Sequence, residues 1–223
     1  MSVLFPLRLS LQVAVCATVV TLLLGIPLAY ILARKRFKGR ELLDLFLTIP
    51  MVLPPVVTGY FLVLLIGRNG VLGKAVFALT GHELSLLFTW YAAVIASFVV
   101  SFPFMIKTAR ASMEAVDQEL VNASYMLGHS ETQTALRVVI PLSARGIIAG
   151  ATLAFARAMG EFGATIMVAG NIPGKTDTMP LAIFSQSSGG TWGAALWMVL
   201  VLVVVSGAVM YVSNRLGRRA TPA

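Results

Sequence analysis

Five apolar runs, each long enough to cross the ~30 Å hydrocarbon core of a bilayer as a helix, leave this chain few folds to choose from. They occupy about 9–33, 42–66, 84–106, 146–170 and 193–212. Hydrocarbon offers backbone N–H and C=O groups no partner, so segments of this kind satisfy themselves as helices. The expected class is an all-α integral membrane protein, a single transmembrane domain over 1–223. The 12% of charged residues is about half the globular average, which fits that class and no soluble one. The first run is too long for a signal-peptide core and ends in basic residues rather than a small-residue cleavage site. Cys16 is the sole cysteine and lies in an apolar run, so neither a disulfide framework nor a cysteine metal site is expected.

Charge orients the spans. The segments 34–40, 107–145 and 215–219 collect Arg34, Lys35, Arg36, Lys38, Arg40, Lys107, Arg110, Arg137, Arg145, Arg215, Arg218 and Arg219. The alternate segments hold Arg8, Arg68, Lys74 and Lys175, and Arg157 is left inside a span. Twelve cations against four predict an N-out, C-in chain with the first group cytoplasmic. The net charge of +8 is accounted for by this orientation, and no basic patch with interleaved aromatics points to nucleic acid. Trp90, Tyr91, Trp192 and Trp197 fall near the expected outer span ends, as interface anchors do.

Two spans carry unusual residues. Pro50, Pro54 and Pro55 interrupt the second, where each removes a helical hydrogen bond and shapes either helix packing or a path that bends. Arg157 and Glu161 stand four apart in the fourth, close enough to pair on one helix face. Charges at membrane depth cost a few kcal/mol each, so both are expected to face the bundle interior. They form either an ion pair that locks helices or a positive station on a path for an anion. Gly160 and Gly163, with Ala156 and Ala164, allow close helix approach there. Residues 169–176 fit a relaxed phosphate-loop pattern ending Gly174-Lys175-Thr176, but a membrane helix precedes them where such a loop needs a strand. Lys175 and its amides could instead face an arriving anion. His82 and His129 are isolated and suggest no metal site, with His129 expected on an outward surface.

The long polar interval is 111–142, placed in the cytoplasm by the charge count. Met113, Val116, Leu120, Ala123 and Leu127 step by three and four, predicting one amphipathic helix. Gly128 then suits a left-handed C-terminus, Ser130 with Gln133 has the form of a capping box, and Pro141 should end or bend the second helix. Glu114, Asp117 and Glu119 lie on the polar face without a cation, which suits a protein partner better than anionic lipid.

Asn122-Ala123-Ser124, three further residues, Gly128 and Val139-Ile140-Pro141 resemble the EAA motif of ABC importer permeases. The spacing from Gly128 to Pro141 agrees with that family. The motif's acid is replaced by Asn122 and its second alanine by Ser124, and the nearest acid is Glu119, one helical turn earlier. Residues 49–60, 101–110, 154–166 and 171–180 are similar to the permease subunit of molybdate ABC transporters, so the resemblance covers nearly the whole chain. It implies a type I importer permease fold with five transmembrane helices and a coupling helix between spans 3 and 4. It implies a multi-pass protein of the bacterial inner membrane, working as a homodimer over two cytoplasmic ATP-binding subunits. A periplasmic or lipid-anchored binding protein would deliver the oxyanion. Glu119, Asn122, Ala123, Ser124, Gly128, His129, Ser130, Glu131 and Pro141 would form the ATPase-coupling surface, and Arg157 and Glu161 the path or the helix lock.

The expected function is a non-catalytic permease for a tetrahedral oxyanion, molybdate first, with tungstate and sulfate or thiosulfate as alternatives. No catalytic, metal or cofactor site is expected. An autonomous secondary transporter would want a coupling-ion site or internal repeats, which the sequence lacks.

Overall fold

In a computed structural model of the chain, residues 3–82 and 86–219 are described. Glu83 and Leu84, where the third span was expected to begin, lie outside the described residues, as do the side chains of Arg218 and Arg219. Helices account for the architecture, and no strand occurs among the described residues.

Helix α1 (Leu4–Arg34) and helix α5 (Trp90–Glu114) form the core pair. Leu9, Val13, Ala17, Thr21, Gly25, Ala29 and Leu32 recur along the buried face of α1 every three or four residues. Several are small because van der Waals packing, not water exclusion, holds membrane helices together. A side chain at Gly25 would come within 3.1 Å of Met105 on α5. Helix α9 (Ala144–Met159) packs against both α5 and α1, and α12 (Trp192–Arg219) packs against α9.

Four helices have the length and hydropathy to cross a membrane: Leu4–Arg34, Pro55–Thr80, Trp90–Glu114 and Trp192–Ser213. A fifth candidate is the bent pair Glu131–Leu142 and Ala144–Met159, at 73° to one another. Four to five candidate spans fit the expected class, but their interiors differ from simple rods.

The span expected over 42–66 is two helices, α2 (Arg40–Val52) and α3 (Pro55–Ile66). Pro54 and Pro55 supply no N–H, so the last helical bond before the break is Leu53 N–H to Ile49 O. The loop expected over 68–83 holds a further helix, α4 (Val71–Thr80), aligned closely enough with α3 to extend it as one span. The span expected over 146–170 is also divided. It breaks at Gly160–Phe162 before a short helix α10 (Gly163–Ala169). The loop expected between the last two spans contains α11 (Met179–Ser188), whose Met179, Leu181 and Ala182 are buried.

The two breaks meet. A side chain at Gly163 would collide with Pro55 and Val56, and one at Gly59 with Ala164 and Met167. Half-helices α3 and α10 therefore run parallel in close contact, with their N-termini side by side.

Candidate functional site: a capped hairpin and a midspan ion pair

The polar stretch departs from a single helix. Helix α5 continues to Glu114, the chain turns through Ala115–Asp117, and α6 (Gln118–Met126) starts afresh. Asp117 stops propagation by turning its carboxylate onto the Glu119 N–H at 2.9 Å. Two phases result from the break, and the expected stripe dissolves. Met113, Val116 and Val121 are buried, whereas Leu120, Ala123 and Leu127 are exposed.

Arg34, the last residue of α1, holds this break. Its Nη2 donates to the carbonyls of Met113 and Val116, both at 2.7 Å, and its Nη1 to Gln118 Oε1 at 2.9 Å. The Met113 carbonyl also accepts the Val116 N–H at 3.3 Å, Val116 O lies past the end of α5, and a guanidinium presents the fork of donors that reaches both. Gln118 Nε2 in turn donates to Asn122 Oδ1 at 3.1 Å. Asn122, standing where the resembling motif has its acid, is thus tied through Gln118 to α1. Sequence reasoning reads Arg34 as one cation among five, and nothing in the local pattern distinguishes it.

Beyond α6, Gly128 has φ +81°, as a left-handed C-terminus requires. The capping box is present: the Gln133 N–H donates to Ser130 Oγ and the Ser130 N–H to Gln133 Oε1. The helix that starts there, α7 (Glu131–Thr134), runs through a π-helical turn over Ala135–Val139 into α8 (Ile140–Leu142). In that turn the Ile140 N–H reaches back to Ala135 O, and Pro141, which has no N–H to place, follows it. The 73° bend follows at Ser143, where Pro141 was expected to end or bend the helix.

Ser124 is buried inside the hairpin, and His129 stands between elements instead of facing outward. Ser124 Oγ lies 2.9 Å from Thr134 Oγ1 and 3.1 Å from His129 Nδ1, and Arg137 Nη1 lies 3.3 Å from His129 Nε2. A guanidinium can only donate, so Nε2 accepts from Arg137 and Nδ1–H points to Ser124. A serine at this position therefore ties α6 to α7 through its hydroxyl, which an alanine could not do.

The acidic face is partly consumed inside the chain. Glu114 accepts Arg40 at 3.0 Å and Arg110 at 2.8 Å, and Asp117 caps α6. Glu131 meets Lys35 at 3.2 Å, an exposed pair of the kind worth ~0–1 kcal/mol. Glu119 and Asn122 remain exposed. Beside these polar residues the hairpin exposes apolar side chains, among them Met126 at 89% and Leu127 at 78% just before Gly128, with Tyr125 and Leu136. Exposed large apolar side chains are scattered on most proteins, and they mark an interaction site only where they gather into a patch.

At the second break, Arg157 lies in the last turn of α9 and Glu161 just before α10. Glu161 is 2% exposed, and its Oε1 accepts the Ala164 N–H at 2.7 Å. Its Oε2 lies 2.7 Å from Arg157 Nη1, with no N–H aligned along the contact, so this is attraction between charges and not a hydrogen bond. The cation sits at a helix C-terminus and the anion at a helix N-terminus, so each also complements the dipole of its own half-helix. The two are paired as the spacing predicts, but across a break and not along one helix.

The phosphate-loop look-alike is a closed turn after a helix. Gly174 N–H donates to Asp177 Oδ1, and the Lys175 and Thr176 N–H groups to Ile172 O. Its amides are therefore not free to meet an anion. Burial holds the Asp177 carboxyl above the usual aspartate range. Among the described residues no group of His, Cys, Asp and Glu could hold a metal.

A family model described as a binding-protein-dependent transport system inner membrane component matches residues 25–221. The molybdenum transport system permease protein ModB of Haemophilus influenzae is 41% identical, over 96% of this chain and 93% of its own length. Its Escherichia coli K12 counterpart is 40% identical over 94% and 91%. The sulfate transport system permease protein CysT of Salmonella typhimurium is 33% identical over 95% and 77%. Among solved structures, a bacterial ABC transporter involved in alginate import matches with a TM-score of 0.76 at 15% identity, over 96% of this chain and 80% of that one. The MetNI methionine ABC transporter matches with 0.74 at 15% identity over 100% of both chains. At such identities the structural likeness speaks for the fold.

Proposed function

The chain belongs to the family of binding-protein-dependent transport system inner membrane components, the permeases of ABC importers, and from that premise we propose that it is the permease through which an ATP-driven importer moves molybdate inward. The observation that carries the reading is 41% identity to a molybdenum transport permease across nearly its full length. The whole chain, 1–223, acts as one permease domain of the bacterial inner membrane, N-terminus outside and C-terminus inside, as the twelve-to-four cation count favours. Two copies pair around the path, two ATP-binding subunits dock beneath them, and a periplasmic or lipid-anchored binding protein delivers the anion above.

The hairpin 111–142 is the coupling element. Glu119, Asn122, Ala123, Gly128, Ser130, Glu131 and Pro141 shape a rigid tip, and the internal ties of Ser124 and His129 keep it from yielding. Exposed Met126 and Leu127 at that tip support a seat in a groove of the ATPase. Through Arg34 a push on α6 reaches α1 and α5 together, and the two orientations of the bundle are biased by nucleotide state. The chain hydrolyses no ATP itself. Arg157 reaches accessible space with 27% of its side chain while its partner is sealed, and it lends positive potential to a doubly negative ion at the break. Such a station binds weakly, because a tight one would retain the ion.

Sulfate is the second reading, favoured by the 33% identity to a sulfate permease. ATP hydrolysis by the reconstituted complex, with its cognate binding protein, decides between them. Stimulation by molybdate but not by sulfate at equal concentration is expected, and the reverse order refutes the assignment.

A further inference from the structure

A cavity of 290 Å³ lies where the first turn of α1, the 171–178 loop, α11 and α12 meet. This is the end of α1 opposite Arg34, the end that the cation count places outside. Phe5 and Met198 contribute apolar wall, and Asn171 and Asp177 contribute polar wall. Pro173 and Gly174 of the same loop also line the cavity and are exposed, so it lies at the end of the bundle and not along a span. Its volume is at the lower limit of the ~300–1,000 Å³ that pockets for free small molecules occupy, and suits one long side chain.

Asp177 is the charged group of this cavity. Asp44, Glu114, Glu131 and Glu161 each meet a cation, whereas Asp177 meets none among the described residues. Its Oδ1 accepts the Gly174 N–H at 2.9 Å, which closes the loop but leaves the charge uncompensated. Burial raises its carboxyl above the usual aspartate range, and backbone amides offset that only in part. Arg8 and Lys175, the charged residues nearest in the chain to these walls, are exposed and pair with no acid among the described residues. Helix α11 carries no charge, and α12 carries its charges at the far end. Asn171 Nδ2 donates to Ser185 Oγ, so Asn171 Oδ1 accepts no hydrogen bond among the described residues. An uncompensated carboxylate and an amide oxygen beside apolar wall complement a long cationic side chain. The stem of such a side chain packs on Phe5 and Met198, and its head donates to Asp177 and Asn171.

On the importer reading proposed for the chain, we propose that this cavity seats one lysine or arginine side chain of the binding protein that delivers the anion, and that Asp177 recognises it. The segments read as outer hold the acids Glu83 and Asp177 against the cations Arg8, Arg68, Lys74 and Lys175. One anionic seat on a mainly cationic face accepts a partner's cation at one place, and so fixes the orientation of docking more than its strength.

The test is the affinity of the cognate binding protein for the assembled transporter in nanodiscs, with the wild-type permease and with Asp177→Asn. Asparagine keeps an Oδ1 for the Gly174 N–H, so the variant should unfold at the wild-type temperature, which separates lost binding from lost fold. Its affinity is expected to fall roughly tenfold, as when a partly buried charge pair loses one charge. Lowering the pH below neutrality should weaken wild-type binding more than that of the variant. The cation meets only the ionised carboxylate, and burial makes this one take up its proton at a higher pH than an ordinary aspartate. One lysine or arginine of the binding protein, replaced by methionine, should lose the same factor against the wild type and nothing further against Asp177→Asn. Equal affinity of the two permeases, or the absence of any such coupled residue, overturns the proposal and leaves the importer reading standing. A wild-type transporter that captures no binding protein overturns both. Loss of bound phosphatidylethanolamine from the variant in native mass spectra, with affinity for the binding protein unchanged, assigns the cavity to a lipid ammonium and overturns the proposal too.

Discussion

Arg157 and Glu161 face each other across a break, each at the helix end whose dipole suits its charge. Glu161 has a structural duty in any case, because its other oxygen caps α10 through the Ala164 N–H. Arg157 makes no other ion pair or hydrogen bond among the described residues, so the pair is asymmetric. Arg157→Gln should leave an assembled complex with uptake reduced at least roughly tenfold, since a fixed positive charge near a divalent anion in low dielectric is worth more than one factor of ten. Wild-type uptake by a destabilised complex would assign the arginine to helix locking alone. Arg34 is the opposite case, a residue whose contacts are all to one joint. Arg34→Met removes three hydrogen bonds and leaves the Val116 carbonyl unpaired, while Met113 O keeps the Val116 N–H, which should cost about 2 kcal/mol. The loss is measurable as a lower unfolding temperature, together with faster proteolysis within 115–130.

The hairpin is one rigid unit only if the Gly128 turn keeps its left-handed backbone. Gly128→Pro, with φ fixed near −65°, cannot occupy φ +81° and should uncouple ATP hydrolysis from uptake. Gly128→Asn should retain coupling, because asparagine tolerates this region and no atom lies within 4 Å of a side chain there. Equal uptake by both variants would show that the turn is not mechanical. At this scale the sequence is readable where a residue's own chemistry dictates geometry. The capping box at Ser130 and Gln133, the turn at Gly128 and the bend after Pro141 are all local rules. It is misleading where several rules compete. The three-and-four spacing from Met113 to Leu127 is real, yet Asp117 caps a new helix within it and resets the phase. The tandem prolines announce a break in 42–66, whereas Gly160–Phe162 break a run that reads as one apolar helix. The network of Ser124, His129, Thr134 and Arg137 joins positions up to thirteen apart through a turn, and no periodicity encodes that.

For the molecule as a whole, the apolar runs and the cation asymmetry are visible in composition alone, and the family membership makes it an importer permease. What joins the scales is a line of contact. The exposed Met126–Leu127 tip lies at the end of α6, α6 is held to α1 by Arg34, and α1 packs along α5 and α9, the helix whose last turn carries Arg157. Under the proposed docking, a push at the tip would reach the helices that flank the Gly160–Phe162 break. The most direct test is molybdate uptake into proteoliposomes containing the chain with its ATP-binding subunits and binding protein, measured with and without ATP. Uptake is predicted to require ATP and to vanish when residues 119–141 are deleted or when the ATP-binding subunits are left out. Accumulation of molybdate by the chain alone, without ATP, would contradict the account.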